Sequence, residues 1–68
     1  MPDKGVVKDT TTGLFCKTYS TSVNDCEWGN ENQALEFPTL AGAESAANDM
    51  NMQLSVDGRF IGERPRPR

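Results

Sequence analysis

Histidine is absent from the 68 residues, and with it the side chain that most often carries general acid–base chemistry at neutral pH. Sulfur is scarce. Cys16 and Cys26 are the only cysteines, so a four-ligand zinc site within one chain would have to draw on carboxylates. No run approaches the roughly 18 consecutive apolar residues that a membrane span needs, and Met1-Pro2-Asp3-Lys4 lacks the basic-then-apolar opening of an export signal. The expectation is a soluble, cytoplasmic protein whose thiols stay reduced, with a Cys16–Cys26 disulfide as the lesser alternative. Gly42, Gly58 and Gly62 stand alone, and no glycine-rich run leads into Lys-Ser or Lys-Thr, the pattern that cradles phosphate. Between Asn24 and Asn30 the oxygen-bearing side chains are interrupted by Cys26 and Trp28, which breaks any calcium loop. No cofactor and no metal are expected.

These absences weigh against an enzyme. Paired carboxylates replace histidine in glycosidases, but they work in a deep cleft that a chain of this length does not easily form. A nucleophilic cysteine needs a cation, a helix N-terminus or a base to stabilise its thiolate. Neither cysteine has one beside it in sequence, since Lys17 points to the opposite face from Cys16 in a strand.

Apolar material is limited as well, at 35% of residues, with one Trp, one Tyr and three Phe. A single small domain with a thin core follows, whose net stability is about 3–10 kcal/mol at roughly 0.05–0.15 kcal/mol per residue. That leaves room for a second subunit or a bound partner to supply part of it.

The charges present are unevenly placed. From Thr18 to Gly58 there is no lysine or arginine, while Asp25, Glu27, Glu31, Glu36, Glu44, Asp49 and Asp57 all fall there. Arg59, Arg64, Arg66 and Arg68 crowd the C-terminal end against Glu63. An acidic body does not displace counterions from nucleic acid, so only the tail suits that role. The acidic middle instead suits docking on a basic protein patch, where complementary potentials speed encounter, or simple solvation.

Gly5-Val6-Val7-Lys8 and Leu14-Phe15-Cys16-Lys17-Thr18-Tyr19 are β-prone runs around Asp9-Thr10-Thr11-Thr12-Gly13, which predicts a hairpin. Ser20 to Asp25 reads as a loop, and Cys26-Glu27-Trp28 and Leu35-Glu36-Phe37 as short strand pieces around a turn at 29–33. Pro38 ends the extended stretch and Thr39 can cap a helix in which Leu40, Ala43, Ala47 and Met50 share one face, running to Met50 or Met52. Gly42 weakens its first turn. Leu54 and Val56 then precede Asp57-Gly58, a favoured hairpin dipeptide, with Arg59–Glu63 as the last strand.

The order is β-β-β-α-β, an α+β domain over residues 1–63 with one helix across a small antiparallel sheet of three to four strands. Residues 64–68 form an extended Arg/Pro tail. The predicted core is Phe15 or Tyr19, Trp28, Leu35, Phe37, Leu40, Ala43, Ala47, Met50, and Phe60 or Ile61.

The run Phe37-Pro38-Thr39-Leu40-Ala41-Gly42-Ala43-Glu44-Ser45-Ala46-Ala47, with a final strand leading into Arg-Pro, resembles small bacteriophage accessory proteins, among them the short inhibitors of host RNA polymerase from T7-like phages. What the resemblance implies is a compact, non-catalytic protein that binds a larger host protein. The candidate contact residues are Asp25, Glu27, Glu31 and Glu36 on the acidic surface. Arg64, Arg66 and Arg68 are the tail contacts, and through them nucleic acid is the alternative partner. Self-association is a further possibility, and no membrane partner is expected.

Overall fold

The computed structural model describes residues 4–65. Four strands and one helix follow in the expected order: β1 (Val6–Asp9), β2 (Phe15–Thr18), β3 (Glu27–Gly29), α1 (Leu40–Leu54) and β4 (Phe60–Glu63). Two single 3-10 turns, Val23–Asp25 and Glu31–Gln33, sit in the connections on either side of β3. The sheet is antiparallel throughout in the order β3-β2-β1-β4, with the helix on one face, so the α+β architecture is as the sequence predicts.

The β1–β2 hairpin forms because Asp9 organises its own turn. Its backbone N–H donates to the Leu14 carbonyl and its carbonyl accepts from Gly13, each at 2.8 Å, while its Oδ1 accepts from the Thr11 N–H at 2.9 Å. β1 then pairs with β4 over four residues, from Val6 opposite Glu63 to Asp9 opposite Phe60. Along β2–β3 the register slips between Cys16, opposite Trp28, and Thr18, opposite Glu27. Of the expected strand piece at Leu35–Phe37 only one bridge forms: Phe37 exchanges hydrogen bonds of 2.7 and 3.2 Å with Gly5. It takes the place beside β1 that β2 leaves at its bulge.

Thr39 caps the helix as predicted, its Oγ1 accepting from the Gly42 N–H at 3.0 Å, which offsets the weakness of glycine in the first turn. The helix runs past Met52 to Leu54 and stops at Ser55 in the left-handed region, φ 53°. Asp57-Gly58 is therefore not a hairpin turn. Leu54 is still helical, so no strand precedes the dipeptide, and it turns the chain from helix into β4.

Ala43, Ala46, Ala47 and Met50 form the buried face of α1 and pack against Val7, Cys16 and Phe60 of the sheet, with Val23 and Cys26 from the connection. Tyr19, Trp28, Phe37 and Val56 close the margins. Leu35 is a correction to the predicted core, being 38% exposed, and of the alternatives Phe60 and Ile61 it is Phe60 that is buried, Ile61 being 36% exposed. Strand alternation explains Ile61, whose pairing with Lys8 puts it on the face away from the helix, whereas its neighbour Phe60 faces in. Phe15 is buried but shares that outer face, with the Lys8 ammonium 5.7 Å from its ring centroid. Leu40 is only half-buried and Ala46 takes its share of the helix face. The first turns of α1 lie directly on strand backbone. A Cβ on Gly62 would meet Glu44 N at 2.5 Å, and one on Gly5 would meet Ala43 Cβ at 2.7 Å.

Candidate functional site

At the C-terminal end of α1 the sheet and helix diverge and leave a cleft of ≈ 420 Å³ lined by residues from every strand except β2, together with Leu14, Val23, Asn24, Cys26, Leu54 and Arg59. Its floor is a stack. The Trp28 and Phe60 rings lie 5.4 Å apart at 27°, and the Arg59 guanidinium stands 5.1 Å from the Phe60 centroid. Leu14 and Leu54 stand on its rim, 40% and 36% exposed.

Arg59 does not bring free charge to this floor. Its Nε and one Nη donate to the two carboxylate oxygens of Asp9 at 3.2 and 3.0 Å, a bidentate pair in which the Asp9 side chain is almost wholly buried. Burial by itself raises the Asp9 pKa. The hydrogen bonds from Arg59 and from the backbone of Thr11 and Thr12, with the guanidinium charge, outweigh it and hold the carboxyl below its usual range. The hydrogen bonds to Asp9 likewise raise the Arg59 pKa.

The two thiols lie inside the core. Burial, with Cys26 beside it, pushes Cys16 up to about 12, so it stays a thiol at neutral pH. The Cys26 Sγ accepts from the Ser20 N–H at 3.3 Å, and both cysteines are free. Among the described residues no three of His, Cys, Asp and Glu are grouped to hold a metal ion, and no helix is long and apolar enough to cross a membrane.

The four carboxylates of the predicted acidic surface all come from the segment that flanks β3. Asp25 is exposed in the first 3-10 turn, Glu27 is exposed on β3 at the sheet edge, and Glu31 is half-buried in the second 3-10 turn. Glu36 is exposed and lies 3.8 Å from the Lys4 ammonium. The Thr18 hydroxyl donates to Glu27 at 3.2 Å. Arg64 is exposed just beyond β4, while Arg66 and Arg68 fall outside the described residues.

The cleft itself was not legible in sequence. Asp9 reads as a turn residue, and its partner lies 50 residues away, so no local pattern links them. The only signal available was the arginine directly before a strand whose partner strand ends in aspartate. No family model matches this chain, and no curated protein or solved structure matches it significantly.

Proposed function

We propose that this chain is a non-enzymatic interaction protein that binds a larger protein carrying a basic patch, through the acidic surface around β3. The observation that carries the reading is the alternation along residues 24–28. Asn24, Cys26 and Trp28 line the cleft, while Asp25 and Glu27 between them are exposed. One short segment thus presents carboxylates beside an open cleft with an aromatic floor, on a stretch of chain from Thr18 to Gly58 that contains no lysine or arginine. The carboxylates steer the encounter and orient the partner, and apolar contact then holds it. The likeness of the 37–47 run to phage inhibitors supports a host protein as the partner and a cytoplasmic setting.

The full chain as bait in a bacterial lysate tests this. A stoichiometric partner retained at low salt, released at high salt and lost with the double variant Asp25→Lys/Glu27→Lys is the expected result. A partner held equally by the variant, or no partner at low salt, overturns it.

A further inference from the structure

The cleft has a chemistry more specific than an acidic surface, and the next step rests on the reading just given. We propose that it is a socket for one large aliphatic or aromatic side chain of the partner, carried on a segment with lysine or arginine on either side.

The walls argue for the apolar anchor. Leu14 and Leu54 leave apolar surface in water on the rim, the Trp28–Phe60 stack forms the floor, and every strong polar group in the floor is already satisfied within the chain. Asp9 accepts from Arg59 twice and from Thr11, and no buried side-chain nitrogen or oxygen among the described residues lacks a partner. An anion gains little from an arginine whose charge is matched by a buried carboxylate. A cation meets that same neutral pair. A side chain that removes apolar surface from water gains against the part of the wall formed by Leu14, Val23, Trp28, Leu54 and Phe60, as anchor residues do in interface pockets. At ≈ 420 Å³ the cleft has room for one such group and the backbone that carries it.

The rim argues for the basic flanks. Asp25 stands between the lining residues Asn24 and Cys26, and Asp57 stands between the lining residues Leu54 and Arg59; both are exposed. The cation in the wall is Arg59, which Asp9 neutralises. The rim therefore carries net negative potential around an uncharged floor, which favours positive charge on either side of the anchor.

Two synthetic peptides separate anchor from charge: acetylated, amidated Lys-Arg-Ser-Leu-Ser-Lys-Arg and the same sequence with the central leucine replaced by serine. Each is titrated into the ¹⁵N-labelled full chain at low ionic strength. The leucine peptide is expected to shift the amides of Leu14 and Leu54 and the Trp28 indole N–H, and to bind about 5-fold or more tighter than the serine peptide. Leu54→Ser and Leu14→Ser, used where circular dichroism shows the fold retained, are expected to reduce that ratio towards one without changing affinity for the serine peptide. Equal affinity for the two peptides, with shifts confined to the neighbours of Asp25 and Glu27, overturns the socket and leaves the acidic-surface reading standing. Absence of salt-dependent shifts with either peptide overturns both.

Discussion

Single side chains decide more here than in a larger domain, because the whole stability is about 3–10 kcal/mol. Met50 is completely buried against the sheet, whereas Met52, two residues on, is 70% exposed. Met50→Ala is expected to cost about 2–5 kcal/mol, enough to bring the chain near its unfolding midpoint, while Met52→Ala stays within about 0.5 kcal/mol. Urea unfolding followed by circular dichroism reads the difference. Asp9 makes a pH prediction. Its folded pKa lies below its unfolded value, so the unfolded chain takes up the proton first on acidification. The stabilisation is complete above the unfolded pKa of about 4 and is lost as pH falls through the folded value. As pH falls below about 4 the melting temperature of the natural chain should fall more steeply than that of Asp9→Asn, which starts lower and has no proton to take up there. Parallel curves would show that Asp9 contributes nothing through its charge.

Among the elements, α1 was the most legible. Its cap, its alanine face and its place after Pro38 all follow from residue spacing, and Thr39→Ala should lower stability by about 1 kcal/mol through the lost bond to Gly42, visible as a drop of several degrees in melting temperature. The hairpin was equally legible, since Asp9 and the threonines after it form a turn by local bonding. What escaped the sequence is whatever depends on a neighbour distant in the chain. Leu35 looks like core in an alternating stretch, yet although its backbone N–H donates to the Cys16 carbonyl at 2.8 Å its side chain is left largely outside. The helix runs longer than expected because Gln53, polar and read as lying beyond its end, bonds back to Thr21 and Val23 and so has a reason to stay helical. Gly62 reads simply as part of the last strand but is also a seat for the helix. Gly62→Ala puts a methyl group against the Glu44 backbone, which cannot yield as a side chain would, and should destabilise by about 1–3 kcal/mol. A melting temperature equal to that of the natural chain would show that α1 can lift off the strand without loss.

For the whole molecule, charge and fold are separable. Asp25 and Glu27 are exposed and belong to no ion pair with a described residue, so reversing both to lysine should leave the melting temperature within a few degrees. Association with the proposed basic partner should slow and become less dependent on ionic strength, as stopped-flow mixing at two salt concentrations would record. The sheet order carries a consequence in time. β1 sits between β2 and β4, so a chain made from its N-terminus holds β1 with one side open until Phe60–Glu63 has been synthesised. Those last residues bring the partner of Asp9, the ring that stacks on Trp28 and the glycine on which the helix rests. A nascent chain that has reached only Gly58 can make its hairpin and its helix, but the two then meet only through Val7, Cys16 and the alanine face, without the Phe60 ring or the Gly62 seat. A fragment ending there should show no cooperative thermal transition, and until β4 is made the growing chain is exposed to proteases and chaperones.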